Sequence, residues 1–255
     1  MKGIILAAGK GSRLNGTAGD KPKCLVKLGG MTLIERQMQV LERAGVDDIA
    51  VVIGCQADRV REACGSGVTY VENSRFAETN SLYSLWTARA LLYEGFVVLN
   101  CDVLFHPALL GDLLVTHHDA ALLMAWREPG QTFGDEEMKV KVRGSRVIDM
   151  SKSMAPDEAD GENLGIVKFG RKSAPHLVSI LDRIVAAGGL RDWAPRAFCE
   201  FAQGRPLHAI GTRGLPWIEI DFPQDYQRAW GEVLPAIEAA HHEEPPKAAW
   251  LGTGL

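Results

Sequence analysis

Apolar residues along the chain alternate between short continuous runs and helically spaced stripes, the arrangement expected of a sheet wound with crossover helices. Residues 3–8, Gly-Ile-Ile-Leu-Ala-Ala, read as a buried first strand. Thr32-Leu33-Ile34-Glu35 is a capping box, in which Thr and Glu three apart satisfy each other's backbone N–H groups, and it opens a helix through Arg43. Residues 48–54 form a second apolar run, followed by a helix over 57–64, and Val68–Val71 is a third strand. Ser81–Leu92 has helical spacing, and Phe96–Asp102 is a fourth strand that ends in a carboxylate. The first hundred residues therefore predict β-α-β-α-β-α-β.

Beyond Asp102 the texture changes. A helix over 107–115 leads to a strand at Ala120–Ala125, and Met138–Val142 then alternates with period two up to Gly144, resuming at Arg146–Met150, which predicts a hairpin. Leu164–Phe169 is another strand, 173–187 and 193–202 are helical, and Trp217–Asp221 is a short strand running into a last helix at 223–240. No repeat or low-complexity linker divides the chain. The expectation is one α/β domain over 1–240 with a Rossmann-like mixed, mostly parallel sheet flanked by helices and an inserted antiparallel β portion. Residues 241–255 are expected to form a loose tail.

Composition narrows the function. The 255 residues carry 28 Lys plus Arg against 32 Asp plus Glu, a net charge of −4 that argues against a dedicated nucleic-acid binder. Hydrophobic residues at 46% and charged residues at 24% fit a globular chain with a sizeable core. No apolar run approaches the roughly 18 residues of a membrane span. The opening apolar stretch is cut by Gly9–Arg13 before it reaches the length of a signal-peptide core. Cys24, Cys55, Cys64, Cys101 and Cys199 show no C-x-x-C spacing, so neither a disulfide framework nor a zinc site is expected, and a reduced cytoplasmic location is the simplest reading. The charge is unevenly spread: residues 1–27 hold six basic residues against Asp20, and residues 231–255 hold four glutamates against Lys247.

The basic start coincides with the strongest motif. Leu6-Ala7-Ala8-Gly9-Lys10-Gly11-Ser12-Arg13-Leu14, followed by Lys21-Pro22-Lys23, places a Gly-rich loop after a strand, where bare backbone can approach a polyphosphate and Arg13 and Lys23 supply charge. It matches neither the Walker form nor the dinucleotide form, which needs a third glycine where Leu14 stands. The string resembles the signature of the nucleotidyltransferases that activate sugar phosphates and small phospho-alcohols. Leu25–Gly30 and Leu33–Gln37 continue that pattern. Glu72-Asn73, Phe76, Thr79-Asn80 and Ser84-Leu85 are similar to the phosphocholine and aminoethylphosphonate cytidylyltransferases. Glu137–Val140, Ser151-Lys152, Gly161-Glu162, Gly165–Phe169 and Trp217–Asp221 fit the same branch, so the resemblance covers about residues 1–230.

The resemblance implies transfer of CMP from CTP to a small phosphate or phosphonate acceptor, with release of pyrophosphate and with Mg²⁺ as cofactor. It makes residues 1–118 the nucleotide-binding part and 119–222 the acceptor-binding insertion and metal strand. Lys23 and Arg13 are the expected catalytic cations. Leu6, Ala7, Ala8, Gly9, Gly11 and Ser12 would hold the nucleotide, with Thr79, Asn80 and Ser81 beside the base, although Asn80 is equally an N-cap. Asp102 ends a strand where open α/β sheets place ligands, and Asp102 with Asp221 would hold the metal. Glu219, two residues from Asp221, leaves the same strand face and is expected at the metal or the acceptor. Lys139 and Lys152 are expected at the acceptor, with Arg127 a further basic candidate, and Trp86, Trp126, Trp193 and Trp217 are available for an aromatic cage or for the core. Two rivals stand beside this reading: a sugar-1-phosphate nucleotidyltransferase using UTP, TTP or GTP, and an inactive nucleotide-sensing subunit. No nucleic-acid or membrane partner is expected, and a homodimer is left open.

Overall fold

In the computed structural model, which describes residues 1–14 and 21–243, a nine-stranded mixed sheet runs through the protein. The chain enters through β1 (Lys2–Ala7), a β2–β3 ribbon (Lys27–Leu28, Met31–Thr32) and α1 (Leu33–Arg43). It continues through β4 (Ile49–Ile53), α2 (Ala57–Cys64), β5 (Thr69–Glu72), α3 (Ser81–Thr87), β6 (Phe96–Asn100), β7 (Val103–Phe105) and α4 (Pro107–Val115). The second half holds β8 (Ala120–Trp126), β9 (Lys139–Arg143), β10 (Arg146–Ser151), β11 (Gly161–Phe169), α5 (Ala174–Ala186) and α6 (Pro195–Gly204). It closes with β12 (His208–Gly211), β13 (Trp217–Glu219), α7 (Pro223–Arg228), a π-turn at Ala229–Val233 and α8 (Leu234–Glu243).

Strand order is β5-β4-β1-β6-β11-β8-β12-β10-β9. The pairs among β5, β4, β1 and β6 are parallel, as is β12 with β8, while β11 runs antiparallel to β6 and β8. The antiparallel portion is thus continuous with the main sheet. Its hairpin β9–β10 lies at the far end, and β9 also pairs with the start of β11, so that β11, β8, β12, β10 and β9 form a closed ring of neighbours.

Alternation along β1 sets the layers. Ile4 and Leu6 face a core shared with α3, α5 and α6, whereas Ile5 and Ala7 face one shared with α1, α2 and α4. Each fully buried aliphatic side chain contributes about 1.5–3 kcal/mol. A third cluster unites Leu14, Leu28, Leu104, Ile218 and Ile220 with Val233 and Ile237, so the C-terminal helices clamp the end of the Gly-rich loop to the β7–β13 pair.

The Thr32–Glu35 capping box forms as expected, with Glu35 N donating to Thr32 Oγ1 and Thr32 N to the Glu35 carboxylate. Several details differ from the sequence reading: β13 stops at Glu219, which leaves Asp221 beyond the strand instead of on it with Glu219, and β12 is a strand the apolar pattern does not predict. The fourth strand stops at Asn100, leaving Asp102 in a tight turn; the Ser81 helix tightens into a 3₁₀ turn after Thr87; and the last helix runs on to Glu243 through the π-turn. Residues 244–255, most of the expected tail, lie outside the described residues. No described helix is long and apolar enough to cross a membrane.

Candidate active site

Strand order reverses across β1: the chain passes from β1 to β4 and β5 on one side, then returns to β6 on the other. Crevices at such switch points are where open α/β sheets bind ligands. Leu6 pairs with Asn100, so the Gly-rich loop after β1 and the Asp102 turn after β6 emerge side by side. Gly11 has φ +65°, and a Cβ there would stand 2.8 Å from the backbone nitrogen and from the Cβ of Lys23. Only glycine lets the loop lie against the segment that delivers Lys23.

Lys23 Nζ is 3.1 Å from Asp102 Oδ2 and also donates to Asp221 Oδ1. Burial works against its charge, but Asp102 and Asp221 outweigh burial and hold its pKa above the ordinary lysine value. Arg13 lies 3.7 Å from Asp221 Oδ2, and its Nη1 donates at 2.9 Å to Glu136 Oε2, which also accepts from Lys152 Nζ at 3.1 Å. An unbroken chain of alternating charge therefore runs from Asp102 through Lys23, Asp221, Arg13 and Glu136 to Lys152.

Asp221 is set by its neighbours: its backbone N–H and that of Phe222 both donate to Asp225 Oδ2, which caps α7. Asp102, Glu219 and Asp221 each bring a carboxylate oxygen within 4.8 Å of the other two. Asp102 Oδ1 is buried without a hydrogen-bond partner. Glu219 is held well above the usual carboxylate range, first by burial and then by Asp102 and Asp221. Three converging carboxylates, one with an orphaned oxygen, fit a hard divalent cation such as Mg²⁺.

A cavity of about 330 Å³ opens here. Leu6, Ala8, Gly9, Gly11, Arg13, Lys23, Thr79, Asn80, Ser81, Asp102, Lys152, Glu219 and Asp221 line it, so the structure brings most of the expected residues together. Asn80 accepts from Ser81 N at 2.8 Å, the capping role, while Ser81 Oγ accepts from Ala194 N at 2.9 Å and ties α3 to the Trp193 segment. Thr79 Oγ1 donates to Arg75 O and accepts from Asn73 Nδ2.

Other residues stand elsewhere. Ala7 turns its side chain into the core, and the Ser12 side chain lies outside what is described. Lys139 corrects the expectation of an acceptor contact: it is 1% exposed, and its Nζ donates at 2.6 Å to the Lys152 carbonyl, an internal brace. Arg127 points its guanidinium at the Pro156 and Asp157 carbonyls. Among the four tryptophans, Trp193 alone lines the cavity, with Lys152 Nζ 5.2 Å from its ring centroid.

Asn100, Glu136 and Asn163 line the cavity without having been singled out, and Lys10, Phe76 and Met138, which belong to the motifs of the resemblance without an expected site role, join them, the Phe76 ring 5.9 Å from Lys10 Nζ. Asn163 carried a legible signal, a polar residue beside an apolar run. Glu136 sits in an aperiodic loop and carried none.

A Gly-rich loop facing a lysine and converging carboxylates, at the switch point of an α/β sheet, defines a nucleotide-handling domain. The chain belongs to the family of the MobA-like NTP transferase domain, whose model matches residues 3–218. It is 30% identical over 235 residues to the bifunctional IPC transferase and DIPP synthase of Rubrobacter xylanophilus, covering 90% of this chain and 51% of that one. It is 28% identical to the CMP-5'-(3-aminopropyl)phosphonate synthase of Streptomyces rubellomurinus, covering 90% of this chain and 38% of that one. The chain thus spans about half or less of the length of these two relatives. The solved CTP:phosphocholine cytidylyltransferase of Streptococcus pneumoniae superposes with a TM-score of 0.73 at 27% identity, covering 89% of this chain and 96% of that one.

Proposed function

We propose that the protein is a Mg²⁺-dependent cytidylyltransferase that moves CMP from CTP to a small phosphate or phosphonate acceptor. The observation that carries this reading is the placement of Lys23 between Asp102 and Asp221, beneath the Gly9–Leu14 loop. An acceptor oxygen attacks the α-phosphorus, the bond to the bridging oxygen breaks, and pyrophosphate leaves with the electron pair. Little covalent chemistry falls to the protein, so positioning and charge dominate.

On this reading Lys23 leaves one carboxylate partner and turns its ammonium to the α-phosphate, while Arg13 and the loop backbone hold the departing phosphates. Asp102 and Asp221, with Glu219 beside them, would hold Mg²⁺, which when bound supplies charge neutralisation at the phosphate oxygens. Leu6, Ala8 and the Thr79–Ser81 segment would enclose the base and ribose. Lys152 is assigned to the acceptor's anionic end. The half-exposed Trp193 ring already accepts a cation from Lys152, which supports an acceptor that also carries an ammonium group. The charged residues this reading assigns to the reaction, Lys23, Asp102, Glu219 and Asp221, are all present, which favours an active enzyme over a nucleotide-sensing subunit.

Pyrophosphate release measured with CTP, UTP, TTP and GTP against phosphocholine, aminoethylphosphonate, other small phosphonates and sugar 1-phosphates tests the proposal. Turnover with CTP and a small phosphate or phosphonate acceptor is expected. Turnover confined to a sugar 1-phosphate with UTP, TTP or GTP overturns it in favour of the sugar-nucleotide reading, and nucleotide binding without turnover favours the sensing reading.

A further inference from the structure

The apolar stripe of α1 contains one polar interruption. Its buried positions are Leu33, Ile34, Gln37 and Leu41, and Gln37 is 2% exposed. A glutamine amide in such a stripe calls for internal partners. Gln37 Nε2 donates to the Asn100 carbonyl at 2.8 Å and to the Val103 carbonyl at 2.9 Å. Both partners are acceptors, so only the NH₂ side of the amide can face them. The Oε1 atom is left buried without a partner.

Those two carbonyls bracket a two-residue turn, Cys101-Asp102, between β6 and β7. From its other side the turn is gripped by Ile220 N, which donates to the Asp102 carbonyl at 3.0 Å. Ile220 lies between Glu219 and Asp221, so the same backbone contact sets the spacing of all three carboxylates. Gln37 closes this arrangement from α1. Gln37 does not itself line the cavity, and its amide reaches the lining through the backbone carbonyl of Asn100.

We propose that Gln37 is a positioning residue of the transferase site: by holding the carbonyls on both sides of the Asp102 turn, it aims the Asp102 carboxylate at the cation shared with Glu219 and Asp221. The inference rests on the function proposed above. An apolar residue of the same length would fill the space and leave both carbonyls without their donor, freeing the turn to rotate. Groups that orient metal ligands from behind typically change metal affinity or activity by about 10–100-fold when lost.

The test is Q37M, which keeps the length and removes the donors, compared with wild type by electron paramagnetic resonance of Mn²⁺ bound with a non-hydrolysable CTP analogue. Mn²⁺ affinity is expected to fall about tenfold or more in folded Q37M. With Mg²⁺, kcat should fall while KM for the acceptor stays close to wild type. A residue that only stabilised the fold would lower the melting temperature and leave Mn²⁺ affinity of the folded fraction unchanged, and that result overturns the inference. Selective ¹⁵N-glutamine labelling of wild type keeps the test open if Q37M does not fold. The Gln37 NH₂ signals should be protected from exchange and shift when Mg²⁺ and CTP are added together, and unprotected, unshifted signals overturn the inference. Wild-type protein that takes up no Mn²⁺ with nucleotide overturns the transferase reading itself and the inference with it, whereas wild-type uptake matched by Q37M overturns the role of Gln37 alone.

Discussion

Lys23 is the residue on which the site's electrostatics turn. Its ammonium stands between two carboxylates, with the Glu219 carboxyl grouped beside them. Removing it strips the nucleotide site of a cation and leaves like charges facing one another without compensation. Lys23→Ala is therefore expected to lower kcat by about 10²–10³, the cost typical of losing one preorganised charge donor in a transition state. Its melting temperature should also fall in chelator and recover when Mg²⁺ is added, because a cation can take over the neutralising role. Steady-state pyrophosphate release and thermal melts with and without Mg²⁺ check both statements; a kcat equal to wild type would remove Lys23 from the mechanism. Asp221→Ala should abolish turnover, but without the rise in mutual repulsion, so its melt in chelator should fall less than that of Lys23→Ala.

At the level of elements, the loop from β8 to β9 brings Glu136 across the cavity, where one carboxylate oxygen serves both Arg13 and Lys152. Arg13 and Glu136 are largely exposed, and exposed ion pairs contribute about 0–1 kcal/mol, so substrate phosphates can displace Glu136 cheaply. Glu136→Gln is expected to lower KM for CTP or for the acceptor by about two- to fivefold, the kinetic equivalent of that energy. A raised KM would mean that Glu136 builds the site instead of covering it. The contrast between this loop and α1 shows what a sequence can reveal. The Thr32–Glu35 box and the β9–β10 hairpin are local in the chain, so spacing alone predicts them. β12 is four residues, His-Ala-Ile-Gly, that become a strand by pairing with the distant β8, and no local pattern announces it. Lys139 departs from the place its pattern predicts for a related reason. Period-two alternation puts it on the same face as Lys141, yet Lys139 pairs with Ser151 on one side and Glu162 on the other, whereas Lys141 reaches outward to Glu158. The Gly-rich loop, Lys23 and the paired acids were legible because their chemistry is written in residue type. Gln37 and Glu136 were not, because their roles arise only when α1 meets the Asp102 turn and when a loop crosses the cavity.

For the whole molecule, β11, a member of the closed ring of strands, carries a half-buried acidic group whose titration is coupled to folding. Glu162 lies on β11 beside Lys139 of β9 and Ala125 of β8. Burial, and after it Glu137, raises its pKa to about 7, against the opposing pull of Lys139 and Lys152. The unfolded chain would titrate it near the ordinary glutamate value of about 4.3. Between these two pH values the folded protein holds a proton that the unfolded chain has released, so stability from this group is full at the acid end and is lost as pH rises. His118 and His208 act in the opposite sense, since burial lowers both and their contribution is lost as pH falls. A comparison with E162Q cancels the histidines and isolates the carboxyl. Denaturant unfolding should find E162Q close to wild type at pH 5 and more stable at pH 8, by on the order of 2–3 kcal/mol at about 1.4 kcal/mol per pH unit across the window. A difference between the two proteins that does not change from pH 5 to pH 8 would show that Glu162 titrates alike in the folded and unfolded chain, and that its burial between β8 and β9 costs the fold nothing at high pH.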